Sequence, residues 1–93
     1  MSDPLYSSGA AEAYQVTPLD ALTAIYHRVS GMTHIVGDPV PQIVAALHGQ
    51  AMSVTALLAA LASDHGLIVD EDTTAALQAR LDELLATGLI YTV

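Results

Sequence analysis

Chemistry-bearing side chains are few in this sequence, and the four histidines, His27, His34, His48 and His65, are the first to weigh. An imidazole nitrogen ligates zinc or nickel, or takes a proton near neutral pH. If Ser30-Gly31 forms a two-residue turn, His27 and His34 become direct cross-strand neighbours on one face and supply two metal ligands. A third ligand has no evident source, so two sheet-surface histidines are the expected state. His48 and His65 each precede a glycine, Gly49 and Gly66, at the end of an expected helix, where an imidazole interacts favourably with the C-terminal dipole.

The acidic run Asp70-Glu71-Asp72 lacks the alternating oxygen ligands and closing Glu of a calcium loop, and reads as a helix start. Ser7, Ser8, Ser30 and Ser53 stand in no G-x-S-x-G context, and the glycines occur singly, so neither a nucleophile elbow nor a phosphate-cradling loop can be assembled. There is no cysteine, which removes thiolate metal sites and redox chemistry. These residues predict a protein that is not an enzyme and carries no cofactor. Arg80, in the last expected helix, either pairs with Glu83 at i+3 or guides an acidic residue of a partner into the groove beside that helix.

Ten carboxylates stand against only Arg28 and Arg80, with no lysine, for a formal net charge of -8. A protein that grips DNA neutralises about six to ten phosphates with basic side chains, so nucleic acid is excluded as a partner. The same deficit argues against an anionic membrane surface. The longest stretch free of polar residues, Ala56 to Ala62, falls far short of the ~20 residues that cross a bilayer. Met1-Ser2-Asp3-Pro4 has neither the basic nor the apolar region of a secretory signal, so the cytoplasm is the expected location. A neutral or basic protein or peptide is the partner this charge favours.

The elements that would position a binding site follow from periodicity. Residues 1–13, rich in Ser, Gly and Ala, predict a flexible N-terminal tail, and 14–93 a single domain. Tyr14 to Thr17, Leu22 to His27 and Met32 to Val36 favour strands, joined at Pro18-Leu19-Asp20 and at the Ser30-Gly31 turn into an antiparallel meander. The period then changes to 3.6. Asp38 is placed to cap a helix starting at Pro39, with Val40, Ile43, Val44 and Leu47 as its apolar stripe. Ser53 caps a second helix with Val54, Leu57, Leu58 and Leu61 inward, and Asp70 a third with Leu77, Leu81, Leu84 and Leu85 inward. Leu89 to Val93 is a candidate terminal strand. The expected class is α+β, a three-stranded antiparallel sheet followed by three helices.

The stretch Ala-Ile-Tyr-His-Arg-Val-Ser-Gly-Met-Thr-His-Ile-Val (24–36), the helix start Pro39-Val40-Pro41, the Leu57-Leu58-Leu61 helix and the closing Leu84-Leu85-Ala86-Thr87-Gly88-Leu89-Ile90 together resemble the PqqD-like family of peptide chaperones. The likeness is to the subgroup associated with HPr-kinase-related gene systems, and it implies a winged-helix-like arrangement of the sheet and helices. Gly37 stands where many members carry Asn. The resemblance implies a RiPP recognition element, a non-catalytic module that holds the leader of a ribosomally made precursor peptide for a modifying enzyme or an HPr-kinase-related protein. In that mode the peptide adds to the strand Met32, Thr33, His34, Ile35 and Val36, with side chains in a groove lined by Leu77, Arg80, Leu81 and Leu84. The alternative expectation is an assembly module that homodimerises through the same uncovered strand.

Overall fold

A computed structural model describes residues 3–66 and 68–93. A short strand β1 (Tyr6–Ser7) and a 3-10 turn (Ala11–Ala13) lead into β2 (Tyr14–Leu19), β3 (Leu22–His27) and β4 (Met32–Gly37). Three helices follow, α1 (Val40–Ala46), α2 (Val54–His65) and α3 (Glu71–Thr87), and the chain ends in β5 (Tyr91–Thr92). The architecture is α+β, with a three-stranded antiparallel sheet ordered β2-β3-β4 followed by three helices.

The meander forms because β-branched and aromatic residues alternate over it and its turns suit their conformations. Asp20 takes a φ of 54° in the tight connection that brings Leu19 opposite Leu22, a conformation Asp tolerates better than most residues. The second connection, Arg28 to Gly31, is longer than the expected two-residue turn. His27 lies opposite Met32, and Gly31, at a φ of 72°, donates its N–H to the His27 carbonyl at 2.8 Å. The register is therefore shifted by two residues. His34 faces Ile25, and His27 and His34 are not direct neighbours.

Strand alternation sorts the sheet into two faces. Tyr14, Ile25 and Val36 turn toward the helices, whereas Gln15, Thr17 and Leu19 of β2, Leu22, Ala24 and Tyr26 of β3, and Thr33, Ile35 and Gly37 of β4 form the outer face. On the inner side α1 packs against β4 and α2, and α2 against α3. Ile25, Ile43, Leu47, Leu57, Leu81, Leu89 and Ile90 are fully enclosed there.

The helix ends follow local side-chain chemistry. The Ser53 side chain accepts from Ala56 N–H at 3.1 Å. Asp70 and Thr73 form a reciprocal box, with Thr73 N–H donating to Asp70 Oδ1 at 2.8 Å and Asp70 N–H to Thr73 Oγ1 at 2.9 Å. Gly88, at a φ of 81°, closes α3 as its sequence position predicts. Asp38 does not cap α1. The helix begins one residue later, with Pro39 in the capping position, and the Asp38 carboxylate accepts from Gln42 Nε2 at 3.0 Å.

The stretch expected to be a tail is docked; its first two residues lie outside the described residues. β1 pairs antiparallel with β5, Tyr6 exchanges both backbone hydrogen bonds with Met52, and Tyr6, Ser7 and Ser8 are buried. Low hydrophobicity concealed this, because one tyrosine supplies the apolar burial and the two serines attach by hydrogen bonding to carbonyls of α1 and its end.

Candidate functional site

Among the described residues β4 has a strand partner on one side only, β3. Along its free edge, Met32, His34 and Val36 turn toward the helix side, and Thr33 and Ile35 toward the outer face. Met32, Thr33 and Ile35 are exposed; His34 and Val36 are half-buried. The edge carries no charged residue, proline or lysine, the features that most often keep a foreign strand from pairing.

Beyond the end of β4 the chain turns through Asp38 to Pro39, which borders a groove of about 230 Å³. Its walls are Pro39, Leu58 and Leu61 on one side and Thr73, Ala76, Leu77 and Arg80 of α3 on the other. Two of the four groove residues expected from the sequence, Leu77 and Arg80, are thus brought together near the strand end. The other two are not. Leu81 and Leu84 are buried like Leu77 but do not line the groove, and they fill the core behind it. The buried stripe of α3 runs from the groove at Leu77 into the core at Leu81 and Leu84, and Arg80, beside that stripe, stands at the groove rim. The Arg80 guanidinium meets Glu83 at 2.9 Å, both half-exposed, an i,i+3 pair that solvent screens to little net stability.

The histidines separate into different surroundings. His27 stacks on Tyr14 with ring centroids 4.8 Å apart, and its Nδ1 lies 3.0 Å from Ser30 Oγ. His34 Nε2 and Gln42 Oε1 are buried polar atoms without a hydrogen-bond partner among the described residues. His65 occupies the last turn of α2, as expected. His48 lies beyond the end of α1, and its Nδ1 sits 2.9 Å from Ser8 Oγ. Ser8 Oγ in turn donates to the Val44 carbonyl at 2.8 Å. With its one proton committed there, the serine accepts from His48 Nδ1–H. The pair anchors the N-terminal segment. Sequence reading missed it because the partners are 40 residues apart. Among the described residues no group of three His, Asp or Glu side chains is placed to hold a metal ion.

Tyr14 joins this anchor to the end of the chain, its hydroxyl donating to the Leu89 carbonyl at 2.6 Å. Burial, and secondarily the charge of Tyr91 when ionised, hold its pKa above the ordinary tyrosine value. The unfolded chain loses this proton first, near pH ~10, so the associated stability is complete below that pH and is lost as pH rises through the higher folded value. Urea unfolding midpoints are expected to fall between pH 8 and pH 11, and to fall less in Tyr14→Phe. An equal fall in both proteins would remove Tyr14 as the cause.

Comparison of the chain with known protein families, with curated proteins and with solved structures returns no match. Among the described residues no helix is long and apolar enough to cross a membrane.

Proposed function

We propose that this protein is a non-catalytic peptide-binding module, which takes an extended segment onto the free edge of β4 and seats one of its side chains in the groove between Pro39, α2 and α3. The observation that carries this reading is the continuity of the two features: an unprotected edge strand leads directly to an apolar groove with Arg80 at its rim. Strand addition supplies main-chain hydrogen bonds, and the groove supplies the apolar anchor. About five such bonds at ~0.5–1.5 kcal/mol each are largely offset by ordering the peptide, so micromolar binding, about -8 kcal/mol, needs the anchor as well. The PqqD-like motifs make the leader of a ribosomally synthesised precursor the ligand of choice, held in the cytoplasm for a modifying enzyme or an HPr-kinase-related protein.

Titration of ¹⁵N-labelled protein with a candidate leader peptide from a neighbouring open reading frame tests this. Saturable amide shifts are expected along Met32 to Val36 and around Leu77 and Arg80, and an unchanged spectrum at near-millimolar peptide would overturn the reading. Arg80→Ala is expected to change stability by less than ~0.5 kcal/mol and to weaken an acidic leader by up to about fivefold.

The uncharged β4 edge also favours a second reading, in which two copies pair β4 to β4. Dissociation of a dimer on adding leader would mark that competition for the edge.

A further inference from the structure

The outer face of the sheet is a second surface, separate from the β4 edge and the groove. Leu19, Leu22, Tyr26 and Ile35 lie there at 47%, 47%, 36% and 57% exposure, and no described element covers them. Ile35 neighbours Ala24, and Leu22 lies across Gly37, where a Cβ would come within 3.5 Å of its Cδ2. The four exposed side chains together present roughly 350 Å² of apolar surface, within the range of the largest patch on a typical monomer, which is often functional.

Charge identifies the occupant. The chain carries ten carboxylates, yet none of the nine outer-face residues is charged. A basic partner would be drawn to the carboxylate-bearing surfaces elsewhere and would gain nothing here. A second copy at -8, by contrast, can approach closely only through a surface free of like charge. The two ends of the face are also complementary to each other. Asp20 lies in the turn at one end, and Arg28 just beyond the other, its Nε donating to the Glu12 carbonyl at 3.0 Å. A two-fold axis between the sheets and perpendicular to the strands sets Asp20 of each copy over Arg28 of the other.

We infer that two copies of this chain associate face to face through the outer surfaces of their sheets, as a two-fold sandwich. With the threonines and Gln15 counted, the contact spans roughly 1,100 Å² in total, just above the ~1,000 Å² that a specific interface needs. A contact of this size sits at the low end of specific interfaces. It leaves β4 edges and grooves free, so it does not depend on the peptide-binding reading.

Sedimentation velocity on the full chain, from about 5 to 500 μM, tests this. The weight-average mass is expected to approach that of two chains, and association to tighten severalfold as salt screens the repulsion between two acidic copies. Leu22→Glu is expected to abolish the dimer while keeping the circular dichroism spectrum and thermal midpoint of the parent. Leu22 is suited to this because it belongs to β3, which is paired on both sides and cannot be an edge. Tyr26→Glu provides a second variant should the first fail to fold. A chain that stays monomeric at ~500 μM overturns the proposal. So does a dimer that survives both substitutions, or one that excess leader dissolves, since that dimer would be joined through its edges. A chain that ignores leader but loses its dimer in Leu22→Glu would sink peptide binding and keep the sandwich.

Discussion

Removal of the chain up to Gly9 is expected to lower the unfolding free energy by about 2 to 4 kcal/mol, a large part of the roughly 5 to 14 kcal/mol expected for 93 residues. Tyr6 is 4% exposed, and returning its side chain to water costs about 1.5–3 kcal/mol. Its N–H and carbonyl bond to Met52 at 2.8 and 2.9 Å, Ser8 N–H bonds to the Leu47 carbonyl at 3.3 Å, and Ser8 Oγ bridges His48 and Val44. Each such bond contributes a net ~0.5–1.5 kcal/mol. Ordering these residues costs about 1–2 kcal/mol of backbone entropy apiece, which is why a long inventory of contacts reduces to a few kcal/mol. Urea denaturation followed by circular dichroism measures the difference. A truncated chain within ~0.5 kcal/mol of the parent would mean that the segment contributes no more than an ordinary surface change does.

Leu81→Ala is expected to cost about 3 to 5 kcal/mol, because Leu81 is fully enclosed and its truncation leaves a cavity in addition to the lost transfer energy. The neighbouring Arg80→Ala costs almost nothing by comparison. Adjacent positions on α3 therefore serve different ends, the first holding the helix to the core and the second standing at the mouth of the groove. Denaturant titration of both variants, alongside leader binding by the one that stays folded, separates these roles. If Leu81→Ala remained stable and bound leader more weakly, Leu81 would belong to the groove after all.

The sequence made the helices legible because their signals are local. Ser53, Asp70, Gly66 and Gly88 stand at the ends they mark, and the stripes Leu57-Leu58-Leu61 and Leu77-Leu81-Leu84 are the buried faces. The strands were legible to within a residue or two, with Pro18 inside β2 because that strand lies at the sheet edge, where a missing N–H is tolerated. What stayed hidden was non-local. Nothing near Tyr6-Ser7-Ser8 announces that Met52, His48 and Tyr91 will meet it, and the register at His27 depended on a turn two residues longer than its Ser30-Gly31 pair suggests. At the candidate site, pattern made Met32 to Val36 legible as a strand and Leu77 as part of a buried stripe, whereas their pairing as edge and groove came from the family resemblance. The contribution of Pro39 and Leu58 to the groove was not legible, because it arises only when three helices converge.

The pairing of β1 with β5 has a mechanical side. Tyr6 lies opposite Thr92 and Ser7 opposite Tyr91, so both chain ends leave the pair from the same side. Tension applied between them loads one rung at a time, as in opening a zipper, and never shears the rungs together. A pull on the ends therefore loads the β1–β5 rungs, and the Tyr6–Met52 hydrogen bonds beside them, before it passes along the chain to the β2-β3-β4 sheet.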